Sequence, residues 1–245
     1  MDAAHTIRDA VARVEGLRLQ AQSRPDLHAA TMAIKRFQAR RFAGTYADLI
    51  DSQEYGGATR FFLEELYSDQ DYSQRDAQFG HIAGALQTFF PTQVVATAVS
   101  LAHLHVLTEE LDHQMAVAWM RENNPRDADD VGRYMRAWKA VGHAEDRKRQ
   151  LEDVLSVGSE LDRLTRTPGL RLMLKMMRRP AMAAGLGSLQ SFLETGFDTF
   201  HGMSGKGTHA KAFLQQIHDR ESRWIDQLFS PDAAACAGEL HRCLP

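Results

Sequence analysis

Apolar residues recur along this chain every three or four positions, the spacing of one face of an α-helix. Ile7, Val11, Val14 and Leu17 mark such a face over 4–22, and Leu27, Ala30, Ile34, Phe37 and Phe42 mark another over 26–42. The same rhythm predicts a short helix near 45–51 and further helices over 56–68, 74–90, 92–121, 128–166, 169–178, 181–202 and 208–229. Pro25, Pro91, Pro168 and Pro180 each precede a helical segment, which suits a residue with no N–H to leave unpaired. Ser73 and Asp76 have the spacing of a capping box at the start of 74–90. Gly142 and Gly158 are expected to bend the longest segment without ending it. No stretch alternates with a two-residue period between turn signals, so no strand is predicted. The fold class is therefore all-α: a bundle of long antiparallel helices with shorter peripheral helices, built round a central helix at about 92–121. Val94, Val95, Val99, Leu101, Leu104, Val106 and Leu107 point almost all round that helix, as if it were covered on every side.

Composition narrows the class. With 245 residues, 44% hydrophobic and 25% charged, the chain has ample material for one core, assigned to 1–230 with a C-terminal tail at 231–245. A formal net charge of -3 gives no bulk electrostatic case for nucleic acid as a partner. No apolar run approaches the roughly 18 residues of a spanning helix, and no signal-peptide core opens the chain. Cys236 and Cys243 match neither a disulfide framework nor a common zinc spacing, so they read as free thiols and the expected compartment is cytoplasmic. No GxxxxGK[ST], no GxGxxG after a strand and no GxSxG occurs. The GKG at 205–207 falls in an expected loop without the strand a phosphate loop needs. Nucleotide hydrolysis and serine-hydrolase chemistry are disfavoured.

Polar residues on apolar faces carry the functional signal, because a buried charge is costly unless paired or metal-bound. His105, Glu109 and Asp112 share one stripe of the central helix with Ala98, Ala102 and Ala116, and Glu110 with His113 makes an E-x-x-H pair beside it. In 181–202, Gln190, Glu194 and His201 flank an apolar face of Met182, Leu186, Leu189, Leu193, Phe197 and Phe200, and Asp198 stands three residues before His201. Glu65 lies between the Phe61 and Phe62 pair and Tyr67 in FFLEELY, and Glu145 is in line with Tyr134, Trp138 and Val141, so two further carboxylates sit on otherwise apolar faces. The leading expectation is a non-catalytic binding or regulatory protein with a polar pocket lined by Glu65, His105, Glu109, Asp112, Glu194 and His201, open to a small molecule or a protein partner. The enzyme alternative is a dinuclear iron or manganese oxidoreductase, with Glu65, Glu110, His113, Glu145, Asp198 and His201 as ligands. That inventory resembles the carboxylate-bridged centres of ferritin-like proteins, in which carboxylate–x–x–His pairs and further acids converge from four helices. Glu109 and Asp112 also suit pairing with arginines from another helix, a structural role with no ligand.

Asp71, Arg75 and Asp76 in DYSQRD read as capping and dipole complementarity at a helix start. FFLEELY and DYSQRD together resemble a group of uncharacterised bacterial proteins over roughly residues 56–82, a resemblance that implies no activity.

Between 163 and 179 the chain carries Arg163, Arg166, Arg171, Lys175, Arg178 and Arg179 and no acid. Arg171, Lys175, Arg178 and Arg179 project to one side, with Leu170, Met173, Leu174, Met176 and Met177 on the other. A third expectation follows, a peripheral-membrane or partner-docking role for 163–179, against a reading in which the apolar side packs on the bundle. The shorter run Lys35, Arg36, Arg40 and Arg41 reads as a solvated face.

Overall fold

The computed structural model describes residues 2–65, 70–122, 129–204 and 209–244, and among these every regular element is helical. The long helices are α1 (Ala3–Gln22), α2 (Pro25–Thr45), α5 (Ser73–Phe89), α6 (Thr92–Arg121), α8 (Ala144–Thr165), α11 (Gly187–Ser204) and α12 (His209–Phe229). Shorter ones are α3 (Ala47–Ile50), α4 (Gly56–Glu65), α7 (Asp130–Val141), α9 (Leu170–Met176), α10 (Arg178–Ala183) and α13 (Ala233–Cys243). Local chemistry sets several starts. The Asp2 carboxylate accepts from the amides of Ala4 and His5, Pro25 occupies the first turn of α2, and Asp129 accepts from Val131 and Gly132. Residues 66–68 of the expected 56–68 helix, residue 128 and the GKG at 205–207 lie outside the described residues.

The expected single helix over 128–166 is two. Gly142 (φ 68°) and His143 (φ 58°) both adopt left-handed backbone, which an α-helix cannot contain, so α7 stops and α8 starts with a new phase. Gly158 stays inside α8, where a Cβ would stand 2.6 Å from a methyl of Leu214 on α12. Ser73 forms no capping box with Asp76, which turns inward instead; the amide of Ser73 is held by the Asp71 carboxylate at 2.9 Å. Within 231–245, α13 packs on α2 and α7 and buries Cys236 and Leu240. Both cysteines are free thiols.

Two large apolar clusters form. The first gathers Leu27, Ile34 and Phe37 of α2, Met115 and Trp119 of α6, Tyr134 and Trp138 of α7, and Trp224 and Leu228 of α12. In the second, Phe42 and Tyr46 join Phe61 and Phe62 of α4, Leu104 of α6, Phe200 of α11, and Phe213 and Ile217 of α12. Each fully buried side chain of this size contributes about 1.5–3 kcal/mol relative to exposure. α2 leaves the first cluster for the second, while α6 and α12 run the other way, so the middle turns of all three lie between the clusters.

α6 packs against α1, α2, α5, α7 and α8. By length and composition it is the one described helix able to cross a membrane, but these contacts and its buried Glu109 and Asp112 make it a core helix. It is not covered on every side. Val94, Val95, Val99, Val106 and Leu107 are half-buried and Ser100 and His103 exposed, because α1, α5 and α8 leave a strip of its first half uncovered; dense burial runs from Glu109 to Trp119.

Candidate functional site

Between the two apolar clusters the middle turns of α2, α6 and α12 carry charge. Arg41 sits four residues after Phe37 and one before Phe42, Glu109 and Asp112 lie between Leu104 and Met115, and Glu221 lies between Ile217 and Trp224. Helical periodicity therefore points them at the interior along with their apolar neighbours. They surround a polar cavity of about 110 Å³, also lined by Lys35 and Gln38 of α2, Glu65 of α4, Arg75 of α5, His105 and Thr108 of α6, Tyr134 and Trp138 of α7, and Arg147 and Gln150 of α8.

Most of the acids are already matched. Lys35 Nζ lies 2.7 Å from Glu109 Oε1. Arg41 grips Glu221 through two bonds of 2.9 Å, and the Tyr46 hydroxyl donates to the same carboxylate at 2.9 Å. Arg75 donates to Glu65 Oε2 at 3.0 Å, its guanidinium stacked between Tyr72 (4.1 Å) and Phe192 (4.4 Å). Behind the cavity, Asp76 receives Arg18 at 2.7 Å and lies 2.9 Å from His105 Nε2. Arg147 is buried at the start of α8, its guanidinium 4.2 Å from the Trp138 ring centre and donating to Gln150, which donates to Thr108 at 2.9 Å.

Asp112 differs. It is 5% exposed and accepts one described hydrogen bond, from the Gln38 amide at 3.0 Å. Burial pushes its carboxyl above the ordinary range; the field of Glu109 adds to this, and Lys35 and Arg147 only partly oppose it. Glu109, one turn away, moves the other way. Burial would raise it, but Lys35, with help from His105 and Arg18, holds it below the usual carboxylate value. Asp76 is lowered as well: His105 and Arg18 outweigh its burial. Two carboxyls on one helix face, pushed apart by different neighbours, line the same space. Tyr134, stacked on Phe37 at 4.1 Å, has its phenol raised by burial.

Of the residues expected to line a pocket, Glu65, His105, Glu109 and Asp112 do so. Glu194 does not: it is held by Arg178 of α10 and by Gln190 on the outer seam of α11. His201 lies partly exposed near the end of α11, beside the buried Phe200 and Met203. The proposed metal ligands scatter. Glu110 pairs with Arg13 of α1 at 2.7 Å, Asp198 with Arg171 at 2.7 Å, and Glu145 with Lys148 at the surface. His113, on α6, does not line the cavity. Glu145 fails for a stated reason: the break at Gly142–His143 resets the helical phase, and Arg147 takes the place beneath Trp138. Among the described residues no group of three or more histidines, cysteines or carboxylates is placed to hold a metal ion.

Sequence reasoning missed Lys35, Gln38, Arg41, Asp76, Tyr134, Arg147 and Glu221. Lys35 and Arg41 belong to the run read as solvated, of which only Arg36 and Arg40 face water. Asp76 precedes the fully buried Ala83 by seven residues, and Glu221 follows Ile217 by four, so the apolar stripes did mark both.

No curated protein and no solved structure matches this chain. Residues 17–235 match the model of a family described as a domain of unknown function, DUF8198, a span that includes every residue of the network from Arg18 to Glu221. This chain belongs to that family.

Proposed function

We propose that this chain is a non-catalytic binding or regulatory protein that takes a small zwitterionic molecule into the cavity beside Asp112. The observation that carries the reading is a buried carboxyl with one amide partner at the edge of a polar space. Burying a carboxylate without compensating donors is costly, and the surrounding acids are matched to cations of their own. An ammonium group entering the cavity supplies Asp112 with the missing charge and donors. The anionic end of such a molecule finds the Arg147 guanidinium and the Lys35 ammonium in the same lining. A space of about 110 Å³ is well above the ~10–15 Å³ that a single water needs and suits an amino-acid-sized ligand.

Binding is favoured over covalent catalysis because the lining groups are largely engaged with one another: the Thr108 hydroxyl accepts from Gln150, and Glu65, Glu109 and Glu221 are held by Arg75, Lys35 and Arg41.

The test is thermal melting against a panel of amino acids, short amines, carboxylates and phosphates at millimolar concentration. Zwitterions are expected to raise Tm, since a ligand at 100 times its Kd adds about 2.7 kcal/mol. Asp112→Ala should abolish that rise. A panel in which no compound moves the wild-type Tm would remove the reading.

A further inference from the structure

Large apolar side chains exposed among the described residues are Leu19, Phe89, Leu172, Met176, Met177 and Met182. Three of these fall within α9 and α10, and a fourth, Met177, lies at their junction. The two helices meet at Met177, whose backbone stays right-handed (φ −70°, ψ −14°): its N–H closes the last turn of α9 on Met173 O at 3.0 Å, and its carbonyl opens α10 by accepting from Ala181 at 2.8 Å, so the rotation per residue carries approximately through the junction.

At about 100° per residue, Leu172, Lys175, Met176, Arg179 and Met182 share an arc of about 120° on the outer side. Leu172, Met176 and Met182 are 64%, 70% and 63% exposed, and Ala181 is buried on the opposite side. The basic side and the apolar side expected from the sequence are kept, but the apolar side is only partly covered and Leu172 and Met182 project among the cations. Leu170, Met173 and Leu174 are partly covered, whereas Met176 and Leu172 stand outward beside cations. Arg171 and Arg178, at the margin of the arc, are neutralised by Asp198 and Glu194 of α11, which tie the segment to the bundle. Lys175 and Arg179 form no ion pair with any described residue, and the arc contains no acid.

We infer that this face docks reversibly on an anionic lipid bilayer, with Leu172, Met176 and Met182 entering beneath the headgroups and Lys175 and Arg179 held at the phosphates. Three features select that occupant. The arc is positive, which complements anionic lipid and repels a second copy presenting the same cations. The cations stand between Met182 on one side and Leu172 and Met176 on the other. An acidic protein groove closing over the apolar tips would have to desolvate both charges. In a bilayer the long stems of Lys and Arg keep their charges in the headgroup layer while the shorter apolar chains go deeper. Leu172, Met176 and Met182 are also largely exposed rather than nested among neighbours, which suits a soft layer without a matching cleft.

Co-sedimentation of the full chain tests this, using phosphatidylcholine vesicles with and without phosphatidylserine. The expected result is pelleting with the anionic vesicles at low salt, release at high salt, and no pelleting with phosphatidylcholine alone. Lys175→Glu with Arg179→Glu should lower the bound fraction about tenfold or more, each cation near an anionic surface being worth about 1 kcal/mol. Leu172→Ser with Met176→Ser should weaken binding at unchanged surface charge, and an unchanged melting curve for each variant would show it folded. Failure of the wild type to pellet at low salt overturns the proposal, as does pelleting that is indifferent to both pairs of substitutions. Retention on a polyglutamate resin without vesicle binding would assign the face to an acidic protein instead.

Discussion

Arg41 and Glu221 meet through two bonds of 2.9 Å with the Tyr46 hydroxyl on the same carboxylate, and both residues are nearly inaccessible. Burial works against the Arg41 charge, yet Glu221 more than offsets this and raises the guanidinium's proton affinity. Removing one partner leaves the other charged and dry. Glu221→Gln is therefore expected to cost about 3–5 kcal/mol in urea unfolding, while Arg41→Met combined with Glu221→Leu recovers most of that loss. The buried carboxyls of α5 and α6 give opposite pH dependences. Asp76 and Glu109 are lowered on folding, so their stabilisation is complete above the ordinary carboxylate range and is lost as pH falls through their folded values. Asp112 is raised, so its penalty is absent in acid, grows as pH rises past the ordinary aspartate value, and is complete beyond its folded value. Asp112→Asn should consequently gain stability over the wild type at neutral pH and show no such gain in acid; equal differences at both pH values would contradict the assignment. Position on an apolar stripe foretold the inward turn of Glu109, Asp112 and His105. The same evidence existed for Arg41, seven residues after Ile34, but its charge within a basic run argued for solvent and outweighed its place.

Helix existence was legible because tertiary packing of one apolar face decides it, and the faces of α1, α2 and α12 repeat without interruption. Phase across a break was not. The spacing that put Glu145 in line with Trp138 assumed an unbroken helix, and two left-handed residues removed that premise. Gly142→Ala is expected to cost about 1–3 kcal/mol, since φ 68° with ψ −124° is backbone that only glycine adopts freely. The docking of α13 depends on another glycine. A Cβ at Gly44 would stand 1.7 Å from the carbonyl oxygen of Cys243, a backbone atom that cannot step aside alone. Gly44→Ala should therefore lift α13 from α2 and expose Cys236, which is 2% exposed in the native packing. In a Cys243→Ser background, iodoacetamide should label Cys236 slowly in the parent and at least about tenfold faster with Gly44→Ala, a gap that corresponds to about 1.4 kcal/mol of eased opening. Equal labelling rates would show that α13 tolerates the methyl group.

Across the whole molecule, two apolar clusters supply the burial that stabilises the bundle, and a charged seam runs between them. Buried ion pairs are weak contributors to stability compared with apolar residues of equal volume, so stability alone is a poor account of so many in one seam. The proposed binding role would give them a use: matched pairs hold a fixed frame, and Asp112 stays without a cation of its own at its edge. Convergence of residues 74 to 180 positions apart in the chain could not be read from any single helix, because it depends on which stripes face one another. The most direct measurement is calorimetric titration of the zwitterion that best raises Tm into three proteins: the wild type, Asp112→Asn, and Asp198→Asn as a distant surface control. The account predicts equal affinity for the wild type and Asp198→Asn and a loss of at least about tenfold for Asp112→Asn, the equivalent of about 1.4 kcal/mol. Affinity unchanged in Asp112→Asn would place the ligand elsewhere and leave the seam a structural device.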